Sequence, residues 1–166
     1  MSMMNAIPQN WFSWNYRVLE QGSRVADLDL AWVREAGTFR LQSRTYKIYR
    51  EKFLSRTFVL EEDGTILARA ARPNIFLRSF TVDYQGIQLI VKARSFFGRT
   101  FVLEQGNQVL GAIYPEHWFT RKAVVELPET LPLAVRIFLV WLVLILWRRQ
   151  WRQEAGIAAR NASPNP

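Results

Sequence analysis

Cysteine is absent from the 166 residues, and histidine occurs once, as His117. The first absence excludes disulfide staples, thiolate metal sites, a thiol nucleophile and palmitoylation. The second excludes a multi-histidine metal centre, so neither a metal nor a cofactor is expected. Glycine (8) and proline (7) are too few for a collagen-like or low-complexity chain. The first ten residues lack the apolar core of a signal peptide, which makes a cytoplasmic location, at most peripheral to a membrane, the expectation.

What is present is an apolar content of 49% with 22% charged residues, enough for a sizeable core and consistent with one domain. The net charge is +8 and the pI near 10.4, a balance that favours anionic partners such as nucleic acid or acidic membrane lipid. A basic surface also keeps an apolar protein dispersed, and that reading stands beside the first.

Residues 11 to 126 read as short strands between turns, rich in β-branched and aromatic residues. Asp63-Gly64 separates Arg56–Glu61 from Ile66–Arg72, Gln85-Gly86 separates Phe76–Tyr84 from Ile87–Arg94, and Gln105-Gly106-Asn107 separates Thr100–Glu104 from Val109–Tyr114. Phe80, Val82 and Tyr84 alternate with Thr81 and Asp83, the period of a half-buried strand. At roughly 8–12 residues per strand and turn, about 10–14 strands are expected, in a meander or barrel. The hexapeptide Arg56-Thr57-Phe58-Val59-Leu60-Glu61 recurs as Arg99-Thr100-Phe101-Val102-Leu103-Glu104, and Val18-Leu19-Glu20-Gln21-Gly22 echoes it more weakly. Duplicated hairpins that close a barrel would also remove exposed sheet edges.

Leu131–Trp147 holds 15 hydrophobic residues out of 17, broken only by Pro132 and Arg136. The run predicts a helix over about 131–150, with Glu129 or Thr130 as its cap and cations near its C-terminal end. Apolar all round, it belongs in lipid or inside protein. As a membrane span it reaches roughly 25 Å, short of the ~30 Å hydrocarbon core. The Arg cluster behind it fits neither orientation well. Inside a barrel of eleven or more strands it fits, and Leu133, Ile137, Phe138, Val140, Trp141 and Leu144 are then core residues. Residues 1–10 are expected as a lead-in, 11–152 as the barrel with its helix, and 153–166 as a polar, disordered tail.

The order of these segments resembles the tubby C-terminal-like superfamily, which includes phospholipid scramblases and the LURP-one-related proteins. The likeness rests on Tyr46-Lys47-Ile48-Tyr49-Arg50-Glu51, Phe58-Val59-Leu60-Glu61-Glu62-Asp63-Gly64, Leu67-Ala68-Arg69-Ala70, Arg78-Ser79-Phe80-Thr81-Val82, the Thr100–Gly111 hairpin and Leu127-Pro128-Glu129-Thr130-Leu131-Pro132 before the apolar run. It implies a mainly β fold, a closed antiparallel barrel of about twelve strands enclosing a C-terminal hydrophobic helix. It also implies a non-enzymatic module, with anionic-lipid or phosphoinositide binding in some members. The cysteine cluster of scramblases and an acidic loop with calcium-ligand spacing are missing, and Glu61-Glu62-Asp63-Gly64 reads as a hairpin turn.

His117 beside Glu116 is the one acid–base pair in view, without a nucleophile elbow, phosphate loop or metal spacing. Asn161-Ala162-Ser163 matches a glycosylation acceptor, followed by Pro164. The basic residues Arg44, Lys47, Arg50, Lys52, Lys92, Arg94, Arg99, Arg121 and Lys122 are the candidate head-group site, provided they converge on one barrel flank. Each cation near an anionic surface contributes about 1 kcal/mol. Nucleic acid requires aromatic rings interleaved with cations on one face, whereas most aromatics here are expected to alternate toward the core. The expected function is therefore binding of anionic phospholipid or of a membrane-associated partner. A scramblase-like protein anchored through 131–147 and an interaction module without lipid affinity are the alternatives.

Overall fold

A computed structural model describes residues 1–31 and 34–162. The strands are β1 (Ser2–Pro8), β2 (Tyr16–Glu20), β3 (Ser23–Leu30), β4 (Gly37–Leu41), β5 (Arg44–Arg50) and β6 (Thr57–Glu62), followed by β7 (Thr65–Ala71), β8 (Ser79–Tyr84), β9 (Ile87–Ala93), β10 (Phe101–Gln105), β11 (Gln108–Pro115) and β12 (Ala123–Leu127). The helix α1 (Leu133–Asn161) follows β12. Each strand pairs antiparallel with its sequence neighbour, and β1 pairs with β12 from Ser2–Leu127 to Ala6–Ala123, which closes the barrel. Closure removes most of the free edge of the kind that recruits other chains, leaving the β3–β4 seam as the weakly paired stretch.

Local sequence makes these strands. In β8, Phe80 and Val82 are buried while Asp83 is exposed, and in β9 Leu89 and Val91 are buried while Gln88, Ile90 and Lys92 face out. The turns use the left-handed conformations that the two-residue hairpin requires. Asp63 and Gly64 take φ of 44° and 92°, and Gln85 and Gly86 take 51° and 79°. The three hairpins that carry the recurring Val-Leu-Glu sequence each contain a register shift, at Val18/Leu19, Leu60/Glu61 and Leu103/Glu104. The β3–β4 seam is the thin place in the wall: among the described residues it pairs only at Asp29–Thr38 and Leu30–Gly37, beside the stacked rings of Phe39 and Tyr46.

The helix fills the barrel. Every residue from Ala134 to Arg148 is buried, including Ile137, Phe138, Val140, Trp141 and Leu144 with no exposed surface, and Leu133 packs partly buried at the entrance. At about 1.5 Å per residue those fifteen positions span roughly 22 Å, the height of a tilted barrel of this strand length. From Ala134 to Trp147 the apolar run is thus enclosed by strands. Among the described residues no helix is long and apolar enough to cross a membrane. Arg136 interrupts the apolar surface without strain, since its guanidinium meets Glu20 at 2.6 Å and the Leu131 carbonyl at 3.1 Å.

Several sequence expectations shift. Residues 1–10 are no mere lead-in, because β1 supplies the closing strand. Residues 153–161, expected as a disordered tail, continue α1: the stretch holds no proline, and its single Gly156 does not stop a helix already nucleated within the barrel. The helix N-cap is Pro132, with no side-chain cap from Glu129 or Thr130. Arg148, Arg149 and Arg152 therefore sit in mid-helix, and only Arg160 lies in the last turn. Ser163 of the acceptor sequence lies outside the described residues.

Candidate functional site

In a barrel whose strands run up and down in sequence order, alternate connections gather at the same end. One end carries the turns at 21–22, 42–43, 63–64, 85–86 and 106–107 and the link into α1. The other carries six wider segments, 9–15, 31–36, 51–56, 72–78, 94–100 and 116–122. The helix leaves the barrel at this second rim, where Arg148 donates to the Ala31 carbonyl at 2.9 Å and the Trp147 indole N–H to that of Arg99 at 3.0 Å.

The second rim presents apolar side chains to solvent. Trp11 and Phe12, Phe53 and Leu54, Ile75 to Leu77, Phe96 and Phe97, and Trp118 and Phe119 are exposed, Phe53 by 92% and Phe97 by 85%. Scattered exposed apolar residues need no explanation, but their concentration at one end does. Phe96 packs edge-on against Phe97 at 4.8 Å, and Trp118 meets Phe119 in the same way.

Arginines hold these segments in place. Arg121 donates to the carbonyls of Ser13, Asn10 and Trp11 at 2.7–2.9 Å, and its guanidinium lies over the Trp14 ring. Arg99 reaches the Trp118 carbonyl and lies over Trp147 at 4.3 Å. Arg78 donates to the Gly98 carbonyl at 2.6 Å, to that of Phe96, and to Gln150 of the helix at 3.0 Å. Arg72 braces its own segment through the carbonyls of Ile75 and Leu77. Burial presses the pKa of Arg72, Arg78 and Arg99 below the ordinary guanidinium value, because each has exchanged water for carbonyls. At β5 and α1, Arg50 and Arg149 converge on Glu35.

Charge follows the same division. The six wide segments contain nine Lys and Arg against three Glu, whereas the turns and helix link at the opposite end contain only Asp63 and Glu129, and the adjacent Arg24 and Arg44 are paired with Asp27 and Glu62. The positive field is therefore concentrated where the apolar side chains protrude.

Of the nine cations expected to form a site, Lys52, Arg94, Arg99, Arg121 and Lys122 lie in these segments and Arg50 at the rim end of β5. The other three do not join them. Arg44 lies at the far end of β5 and pairs with Glu62. Lys92 pairs with Glu104 at 2.8 Å across the β9–β10 wall, and Lys47 stands opposite Glu61 in the β5–β6 register. Exposed cross-strand pairs of this kind neutralise the flank. Six of the nine cations gather at the rim, not on a flank.

The protruding pairs lay outside the residues chosen from the sequence, and the expectation that aromatics turn mostly inward fails at this rim. A signal existed. Trp11-Phe12, Trp32-Val33, Phe53-Leu54, Phe76-Leu77, Phe96-Phe97 and Trp118-Phe119 recur every 20–23 residues, one per pair of strands, and an Arg follows five of the six within two residues. Trp32 and Val33 lie outside the described residues. Apolar doublets read as strand ends unless the hairpin frame is already known.

Of the acid–base pair, Glu116 faces Lys122 at 3.7 Å, and the His117 ring rests on Phe119 at 4.4 Å. Among the described residues no group of three or more His, Asp or Glu is placed to hold a metal ion. Glu61 and Glu62 accept from Tyr49 and Arg44 at a hairpin. No protein-family model, curated protein or solved structure matches the chain significantly.

Proposed function

We propose that the protein is a non-enzymatic barrel module that docks on anionic phospholipid surfaces through its wide-loop rim. One observation carries the reading: the exposed apolar doublets and the excess cations share the same end of the barrel. Interfacial binding scales with apolar area placed in the acyl boundary plus attraction to anionic lipid. A Phe or Leu fully removed from water is worth about 1.5–3 kcal/mol, and a cation at an anionic surface about 1 kcal/mol. Several tips and a few arginines suffice for reversible attachment. α1 continues beyond this rim to Asn161 as an exposed helix, so the barrel approaches tilted, with one arc of tips against the lipid.

The resemblance to the tubby C-terminal-like superfamily supports the reading, because head-group binding occurs among its members. Single-stranded nucleic acid would also meet rings and cations here. The exposed tips, however, include the aliphatic Leu54, Ile75 and Leu77, which offer no ring for a base to stack on.

Co-sedimentation of the full chain tests the proposal. Vesicles containing phosphatidylserine or a phosphoinositide bind it, phosphatidylcholine vesicles bind it at least about tenfold less, and raising ionic strength from 0.1 to 1 M weakens binding because the Debye length falls from about 10 to 3 Å. Equal binding to neutral and acidic vesicles, or capture by an oligonucleotide with no vesicle binding, overturns it. Pull-down partners without lipid affinity would leave an interaction module in its place.

A further inference from the structure

A cleft of about 670 Å³ lies between the 9–15 segment, the 116–122 segment and the first exposed turn of α1. Its walls are rings: Trp11, Phe12, Trp14, Phe119 and Trp151. Its charged lining is Arg121, Lys122 and Arg152, with no carboxylate among the lining residues. A concave apolar site with a few convergent polar groups, within the usual ~300–1,000 Å³, is the form that small-ligand sites take.

The cleft is also built rather than incidental. Arg121 fixes one wall through three hydrogen bonds to carbonyls of the facing segment and by lying over Trp14. Those bonds use three of the five N–H donors of a guanidinium, and the full positive charge stays at the cleft. Lys122, half-exposed, meets Glu116 at 3.7 Å, a separation that an incoming anion can displace.

We infer that this cleft takes the acyl chain of an anionic membrane lipid, with the chain against the rings and the phosphate or carboxylate at Arg121 and Lys122. The inference rests on the docking reading in one respect: the rim is what brings the cleft to the bilayer. Charge complementarity selects the head group, and the aromatic walls require the chain. A free phosphate ester satisfies only the first.

Calorimetric titration of the full chain with lysophosphatidic acid, kept below its micellar concentration, tests this. One-to-one saturable binding is expected, about tenfold tighter than for lysophosphatidylcholine of the same chain and about a hundredfold tighter than for glycerol 3-phosphate. Thr120→Trp, which fills the cleft, and Trp151→Ser, which removes a wall, each weaken binding about tenfold or more. The pair Phe53→Ser and Leu54→Ser, in a segment outside the cleft lining, leaves lysophosphatidic acid binding within about twofold while reducing vesicle binding. Unsaturable uptake, glycerol 3-phosphate binding as tightly as the lysolipid, or a Thr120→Trp variant with unchanged affinity overturns the inference. Lysolipid binding without vesicle binding defeats the docking reading alone, and vesicle binding without lysolipid binding defeats the cleft alone.

Discussion

Arg149 grips both carboxylate oxygens of Glu35, at 2.6 and 2.5 Å, and so ties the helix to the segment between β3 and β4 as it leaves the barrel. Arg50, from β5, reaches the same carboxylate. Burial by itself pushes the Glu35 carboxyl up, but the hydrogen bonds and charges of Arg149 and Arg50 outweigh it and hold the pKa at about 2. The ordinary carboxyl value is 4.5, so the folded value is depressed, and the stabilisation is complete above that pH and lost as pH falls toward about 2. Discounted for solvent screening, Glu35→Gln should therefore cost on the order of 1–2 kcal/mol at pH 7 and almost nothing near pH 2. Urea unfolding at several pH values measures the gap; a gap independent of pH contradicts the assignment.

A second ion pair, Arg136–Glu20, bridges the helix entrance and β2 at 2.6 Å, with Arg136 only 6% exposed. Glu20→Gln strands a buried guanidinium and should cost about 3 kcal/mol, whereas combining it with Arg136→Met should recover much of that loss. A double-mutant cycle by denaturant unfolding decides. Additive costs would mean that the two groups do not interact.

Trp141 is fully buried in mid-helix, and a Cβ on Gly37 of β4 would meet its indole nitrogen at 2.6 Å and the Asp29 carbonyl oxygen at 2.7 Å. Gly37→Ala is thus expected to cost about 1–3 kcal/mol by overpacking, and Trp141→Ala about 3–5 kcal/mol by leaving a cavity. Gly37→Ala with Trp141→Phe should recover part of the first loss. Thermal and chemical unfolding report both, and a Gly37→Ala variant as stable as the wild type refutes the close approach.

Deleting residues 131–166 should abolish cooperative folding, because the twelve strands would enclose an empty bore in place of fifteen buried helical residues. Deleting 154–166 should change stability by less than about 0.5 kcal/mol, since the described residues removed are exposed apart from half-buried Gly156. Circular dichroism melts distinguish the two truncations. A barrel that folds without the helix would show that its core lies elsewhere.

Phe96→Ser with Phe97→Ser removes two rings that are 80% and 85% exposed. Stability should stay within about 0.5 kcal/mol while binding to acidic vesicles falls about tenfold. Unchanged vesicle binding in this variant and in the Phe53→Ser, Leu54→Ser variant would remove the apolar doublets from the docking surface.

Sequence alone determined the elements whose causes are local. The alternation through Phe80, Val82, Leu89 and Val91, the left-handed turns at Asp63-Gly64 and Gln85-Gly86, and the unbroken apolar run after Pro132 each follow from one residue and its near neighbours. The helix interior was legible for the same reason: a helix apolar on every face needs a wall all round. Tertiary structure alone decided which connections meet. Whether Lys92 faces Glu104 or an open surface depends on strand register, and whether Phe53, Phe96 and Trp118 share one rim depends on the order and closure of twelve strands. These are contacts between residues far apart in sequence, and no local preference encodes them. The cations were visible from the start, but their separation into a neutralised wall and a basic, apolar rim is a property of the closed barrel.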